Sequence, residues 1–194
     1  MLISATQKLF NRKINQLNIN DRQRISFTDE ELEFANNLAD SIIREKMKEY
    51  VHQTDNCKEK ERWLTGILGE LAVEKYFGIN FIDTTVGNSK KYARPDLEKA
   101  GYNVGVKSCC YPNFPVINRN IKTPQLFILL NPEKNKALFL GLADMELLKE
   151  NLSDPFNDNL IIMKAMLSRK TAFSKIEKLS YLNSIDELEK YKIA

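Results

Sequence analysis

The amino-acid sequence predicts an α/β fold with a mixed central sheet flanked by helices. Apolar residues recur at helical spacing early in the chain, and strand-type patterns follow in the middle. Helices and strands mixed in this way bury their apolar faces as a sheet covered by helices. The 194 residues suit an α/β core, residues 61–194, with an N-terminal helical extension, residues 1–60.

Two long helices are predicted before the sheet. Thr28 and Glu31 form a capping-box pattern, so a helix should begin there and continue to about residue 50. The second helix should cover residues 61–77, with Gly78 placed to end it. Their apolar stripes are Leu32, Ala35, Leu38, Ile42 and Met47 in the first helix, and Leu64, Ile67, Leu68, Leu71, Ala72 and Tyr76 in the second.

Gly66 and Gly69 lie inside the second predicted helix, about one turn apart. An interior glycine destabilises a helix by about 1 kcal/mol relative to alanine. The two glycines therefore predict that another backbone, most simply a strand of the sheet, approaches this helix closely.

The strands are predicted from short alternating or continuous apolar runs. Residues 102–108 alternate, with Tyr102, Val104 and Val106 on one face, and Gly101 before them can form a turn. Residues 126–130 are continuously apolar, as in a strand buried on both faces. The predicted strands are residues 92–97, 102–108, 126–130, 137–142 and 160–163.

Two further helices are predicted from their first residues. Asp144 is placed to cap a short helix. Ser184 and Glu187 form a second capping box, which predicts a terminal helix. The order is therefore helix, helix, strands, helix, strand and helix.

The composition restricts the chemistry that the protein can perform. With 43% hydrophobic and 28% charged residues and no apolar run near the ~20 residues that span a bilayer, we expect a cytoplasmic protein with no membrane partner. One histidine and three cysteines are too few for most zinc sites and for Ser-His or Cys-His catalysis. Catalysis would therefore rest on carboxylates, lysines and a bound cation. The net charge of +3 permits a nucleic-acid partner.

Three residues in the middle of the chain could carry such chemistry. Glu70 lies at the margin of the second helix's apolar stripe, Asp96 at the end of one predicted strand, and Lys107 within the next. A hairpin would bring Asp96 near Lys107, and Glu70 could reach over the sheet edge. Carboxylates that hold Mg²⁺ and leave water positions open, beside a lysine that stabilises negative charge, suit phosphodiester hydrolysis.

At these residues the sequence resembles the PD-(D/E)XK nuclease superfamily, which has the restriction-endonuclease-like fold. The resemblance covers roughly residues 61–150 and is carried by GILGELAVEKYFG, RPDLEKAGYNVGVKS, LFILLN and ALFLGLADMELLKEN. It implies a nuclease in which Glu70 and Asp96 bind Mg²⁺ or Mn²⁺ and Lys107 positions water or stabilises charge. The resemblance favours DNA as the substrate, and homodimers are common among nucleases of this kind.

One position departs from the family pattern. The motif has Asp or Glu two residues before the lysine, where this chain has Gly105. Glu74 or Glu98 could supply the missing carboxylate. Alternatively, the site could work with its two remaining acids, a backbone carbonyl such as that of Val106, and water. The third alternative is an inactive relative that binds nucleic acid or a protein partner.

Simpler interpretations exist for each residue. Glu70 could be a solvated helix charge, Asp96 ordinary turn chemistry, and Lys107 an edge-strand residue that prevents aggregation. Their order would then be a coincidence on an unrelated α/β interaction module. Trp63 would more often be a packing residue than a base-stacking platform. Basic residues in two polar segments could contact phosphates or be solvated connectors, and they are Arg119, Lys122, Arg169 and Lys170.

Overall fold

The computed structural model describes residues 4–46, 56–85, 94–160 and 169–193. Its α-helices are α1 (Ala5–Ile14), α2 (Asp29–Lys46), α3 (Asn56–Phe77) and α4 (Met145–Leu152). Its strands are β1 (Arg24–Ser26), β2 (Gly105–Cys110), β3 (Val116–Asn118), β4 (Gln125–Leu130), β5 (Lys136–Ala143) and β6 (Lys170–Ala172). None of the described helices combines the length and apolar composition needed to cross a bilayer.

Four strands form the central sheet in the order β1-β5-β4-β2. β2 runs parallel to β4, whereas the β4–β5 and β5–β1 pairs are antiparallel, so the α/β fold has the mixed sheet that the sequence predicts. β3 and β6 form a separate two-stranded sheet. Because β2 is an outer strand, alternate N–H and C=O groups along it point away from β4.

Both faces of the central sheet are covered, which explains why every residue of β4 is buried. α2 and α3 pack on one face, and α1, α4, β3 and β6 pack on the other. The first core includes Leu38, Leu68, Leu71, Val106, Ile128 and Phe139. The second core includes Phe10, Ile117, Phe127, Leu148, Ala172 and Phe173. The predicted apolar stripe of α3 is confirmed, since all six of its residues are buried.

α3 approaches β2 most closely at Gly69. A Cβ added to Gly69 would lie 2.5 Å from the Cβ of Ser108 and 2.6 Å from its Oγ. The Ser108 hydroxyl also donates a hydrogen bond to the carbonyl oxygen of Thr65 at 2.7 Å. The predicted close approach is therefore confirmed at Gly69. It is wrong at Gly66, where no described atom lies within 4 Å of an added Cβ.

The predicted ends of several helices are confirmed. The backbone N–H of Thr28 donates to Glu31 Oε2 at 2.7 Å, and the N–H of Glu31 donates to Thr28 Oγ1 at 3.2 Å. Asp144 caps α4, and Gly78 ends α3 with a φ of +67°. The terminal segment has its predicted capping box but forms a 3₁₀ helix, Ile185–Tyr191, instead of an α-helix.

Parts of the strand prediction are wrong or lie outside the described residues. Residues 94–97 form a turn instead of a strand, closed by a 3.1 Å hydrogen bond from the Glu98 N–H to the carbonyl oxygen of Pro95. That turn leads into a 3₁₀ helix, Glu98–Ala100. Residues 92–93, 161–163 and Met47 lie outside the described residues. β3 and β6 are not predicted from the sequence, because a strand of three residues carries too little pattern to be recognised.

The region assigned to an N-terminal extension contributes to both faces of the sheet. β1 pairs with β5 at the edge opposite β2. Phe10 in α1 is fully buried, with its ring centroid 5.1 Å from that of Phe114. The boundary at residue 60 stays a prediction, although residues before it complete the sheet and its second core.

The glycines of α3 should respond oppositely to alanine. Gly69→Ala should destabilise the protein by about 1–3 kcal/mol, because its Cβ would overlap Ser108 in a packed interface. Gly66→Ala should stabilise it by up to about 1 kcal/mol, because alanine favours the helix and meets no described atom. Urea unfolding of both variants measures the difference, and equal effects would contradict the close approach at Gly69.

Candidate active site

Glu70, Asp96 and Lys107 line one cavity of about 990 Å³. The predicted convergence of these three residues is therefore present, although Asp96 comes from a turn and not from a strand. In the part of the chain that the structure describes, the three side chains are therefore not scattered, as an unrelated interaction module would have favoured.

The contact between α3 and β2 brings Glu70 near Lys107. Glu70 follows Gly69 on α3, and Lys107 precedes Ser108 on β2. Because neighbouring strand residues point to opposite faces, the Lys107 side chain leaves the face opposite to Ser108. Its Nζ turns back to the Val106 carbonyl at the free edge of β2, where Lys107 and Glu70 line the same cavity. The same helix face carries Arg62, Gly66 and Glu70 at intervals of four residues, and all three line the cavity.

Asp96 is held at the free edge of β2. Its Oδ2 accepts a hydrogen bond from the backbone N–H of Val106 at 2.5 Å. That N–H is available because the neighbouring Gly105 N–H points the other way and donates to the Pro124 carbonyl. The N–H of Leu97 also donates to the carbonyl oxygen of Val104 at 3.0 Å. The turn after Pro95 is thereby fastened to the edge of the sheet.

Lys107 lies on the same strand edge. Its Nζ donates to the carbonyl oxygen of Val106 at 3.1 Å. The backbone of Val106 therefore contacts Asp96 through its N–H and Lys107 through its carbonyl. This carbonyl, one of the alternative metal ligands considered from the sequence, lies at the site and accepts a hydrogen bond from Lys107.

Burial shifts both acids toward their protonated forms. Burial first, and then the negative charge of Asp96, raise the pKa of Glu70 to about 8, while the Lys107 ammonium opposes the shift. Burial also raises the pKa of Asp96, against the charge of Lys107 and the hydrogen bond from Val106. Two half-buried carboxyls with one lysine carry excess negative charge when ionised, which favours a cation.

The side chain of Gln125 fills the space beside Gly105, two residues before Lys107. Gly105 and Gln125 are register partners on β2 and β4. A Cβ added to Gly105 would lie 2.5 Å from both Nε2 and Oε1 of Gln125. Nε2 donates to the carbonyl oxygen of Thr123 at 2.9 Å and to its Oγ1 at 2.8 Å, which fixes the amide orientation. The buried Oε1 has no hydrogen-bond partner among the described residues.

The donors at the site fit Mg²⁺ or Mn²⁺ better than a softer metal. No group of three or more His, Cys, Asp and Glu side chains suited to a metal occurs among the described residues. Mg²⁺ commonly binds through one or two carboxylates and keeps several waters. Glu70 and Asp96 meet that requirement, and the carbonyl oxygen of Val106 is a third oxygen at the same edge.

The other acids near the cavity have different surroundings. Glu74 Oε1 accepts hydrogen bonds from the N–H groups of Phe81 and Ile82 at 2.5 and 2.7 Å, and so holds the segment after α3. Glu98 lines the cavity and pairs with Arg94 at 3.3 Å. Asp83, which the sequence analysis missed, lines the cavity and contributes to the raised pKa of Glu70. The only sequence signal for Asp83 was its position after the apolar pair Phe81 and Ile82.

The predicted basic residues separate into two groups. β3 pairs with β6, and the N–H of Arg119 donates to the carbonyl oxygen of Arg169 at 2.9 Å, so the two basic segments meet. Lys170 lines the cavity, whereas Arg119, Lys122 and Arg169 are outside its lining. Arg62 also lines the cavity and was missed, although its spacing of eight residues from Glu70 places both on one helix face.

The raised pKa of Glu70 predicts a pH-dependent stability for the metal-free protein. The folded state holds this proton up to about pH 8, whereas the unfolded carboxyl releases it near pH 4.5. Stability should therefore fall as pH rises between those values. Glu70→Gln should flatten the profile of unfolding temperature, and the exposed control Glu146→Gln should not. A wild-type profile unchanged by Glu70→Gln would contradict the shift.

Restoring the motif carboxylate alone should destabilise the protein. Gly105→Asp should lower stability by about 1–3 kcal/mol, because its Cβ would overlap the buried amide of Gln125. Gln125→Ala should relieve the overlap, so the double variant should be more stable than the sum of the single changes predicts. Urea unfolding of all four proteins measures this coupling, and simple additivity would contradict the overlap.

Comparisons of the chain with models of known protein families, with curated proteins and with solved structures find no match.

Proposed function

We propose that this protein is a Mg²⁺- or Mn²⁺-dependent nuclease that hydrolyses phosphodiester bonds and that its substrate is DNA. The observation that carries the proposal is the presence of Glu70, Asp96 and Lys107 in one cavity. Acids with strongly raised pKa values beside a lysine are concentrated at functional sites. The mixed sheet with helices on both faces is compatible with the proposed restriction-endonuclease-like core.

The chain's own residues have separable roles in this proposal. Glu70 and Asp96 would hold the divalent cation, which supplies Lewis acidity and a more acidic bound water. Val106 keeps Asp96 in place through its N–H. Lys107 would exchange its contact with the Val106 carbonyl for the phosphate, where its charge stabilises the negative charge that develops during hydrolysis.

Cations around the acids support a phosphate-containing substrate. Arg62 and Lys170 line the same cavity as Lys107. Burial, followed by the charges of Arg62 and Lys107, lowers the pKa of Lys170. A bound phosphate would neutralise this repulsion, and protein contacts with nucleic acids are dominated by such phosphate interactions.

A second candidate function is nucleic-acid binding without cleavage. Gly105 favours this second function, because Gln125 occupies the space in which the family pattern has a carboxylate. Of the acids in that pattern, only Glu70 and Asp96 are then present. This candidate requires salt-sensitive binding of DNA but no metal-dependent product.

Cleavage of plasmid and single-stranded DNA with Mg²⁺ or Mn²⁺ tests the proposal. Lys107→Ala should lower the rate about 100-fold or more, because it removes a charge that stabilises the transition state. Lys149→Ala, an exposed lysine on α4, is the matched control and should cleave normally.

Equal cleavage by the wild type and Lys107→Ala would assign the products to a contaminant and contradict the proposal. If neither protein cleaves and both bind DNA with strong salt dependence, the second candidate function is supported instead.

A further inference from the structure

The candidate site has a second wall of different chemistry. α2, α3 and the segment after α3 give the cavity an apolar side, formed by Leu38, Ile42, Trp63, Ile67, Phe81 and Ile82. Trp63 and Ile82 are half-buried, so they present apolar surface to the cavity. Leu38, Ile42, Ile67 and Phe81 belong to the first core, so Trp63 and Ile82 are the more exposed members of this wall.

Gly66 leaves open space beside this wall. It lies one turn before Glu70 on α3, and both residues line the cavity. No described atom lies within 4 Å of a Cβ added at Gly66. Among the described residues Gly66 therefore has no close packing partner, in contrast to Gly69. It lies between Arg62 and Glu70 on the helix face that lines the cavity.

Charge complementarity identifies what the open space could hold. Arg62, Lys107 and Lys170 line the cavity together with apolar residues that include the indole ring of Trp63. A nucleotide complements both kinds of lining residue, because its phosphate is anionic and the two faces of its planar base are apolar. Cavities of about 300–1,000 Å³ hold ligands of drug-like size, and this one measures about 990 Å³.

We propose that the cavity binds an unpaired nucleotide of a nucleic-acid strand. Its base lies against Trp63 and Ile82 over Gly66, and its phosphate lies among Arg62, Lys107 and Lys170. In a duplex the base is paired and stacked, so it reaches such a cavity only after it leaves the helix. Single-stranded or frayed substrates are therefore preferred over intact duplex. The assumption that the bound phosphate reacts rests on the proposed function. The preference for binding single strands does not require cleavage.

Trp63 in this wall is an intrinsic fluorescence reporter of binding. Trp63 is the single tryptophan of the chain, so the intrinsic tryptophan fluorescence comes from this cavity alone. The experiment titrates the full-length protein with a short single-stranded DNA of mixed sequence, and with the same sequence as a blunt duplex. Chelator in the buffer prevents cleavage during both titrations. The single strand should change the fluorescence saturably and bind about 10-fold or more tightly than the duplex.

A variant at Gly66 and a control on α4 locate the binding. Gly66→Leu places a side chain in the open space and should weaken single-strand binding about 10-fold or more, with loss of the fluorescence change. Lys149→Leu adds the same side chain at an exposed position of α4 and should retain both the fold and the binding. Cooperative unfolding checks both variants. If Gly66→Leu does not fold, the wild-type comparison of single strand with duplex decides the proposal.

Equal or tighter binding of the duplex would overturn the proposal, as would unchanged single-strand binding in folded Gly66→Leu. Metal-dependent cleavage without the single-strand preference would leave the proposed nuclease function standing and remove only this inference. Single-strand preference that depends on Gly66, without cleavage under any metal, would support the inference and remove the nuclease function.

Discussion

The contact between Gly69 of α3 and Ser108 of β2 determines where the candidate site can form. Gly69 has no Cβ, and one would lie 2.5 Å from the Cβ of Ser108, so the helix and strand meet at van der Waals distance. Glu70 and Lys107 are the chain neighbours of these two residues, and they line the same cavity. The second requirement is the free edge of β2, where the Val106 N–H donates to Asp96. A packing contact and an edge hydrogen bond thus position three residues that are distant in sequence.

The site combines features that stability alone would not favour. Burial, followed by the negative charge of Asp96, raises the pKa of Glu70 to about 8, and the charge of Lys107 offsets this only in part. Burial, followed by repulsion from Arg62 and Lys107 in the same cavity, lowers the pKa of Lys170. Conflicts of this kind usually mark functional sites, because a ligand resolves them. A divalent cation would neutralise the acids, and a phosphate would neutralise the bases.

Local patterns predicted much of this fold and some of its site. The stripe of α3, the capping box at Thr28 and the buried strand β4 depend on nearby residues, so they could be predicted from spacing alone. The turn at Asp96 could not, because a distant N–H on β2 holds it. The amide of Gln125 over Gly105 depends on the register between two strands, which a single sequence does not show. Likewise, only the pairing of β3 with β6 shows that the two basic segments meet.

The central claim is that Glu70 and Asp96 form a cation site at the edge of β2. Calorimetric titration of the metal-free protein with Mn²⁺ tests it without any substrate. We expect saturable binding by the wild type and a loss of affinity of about 10-fold or more in Asp96→Asn, with cooperative unfolding retained. Lys149→Ala, on the exposed face of α4, should bind Mn²⁺ like the wild type. Absence of binding by the wild type, or equal affinity in Asp96→Asn, would contradict the claim.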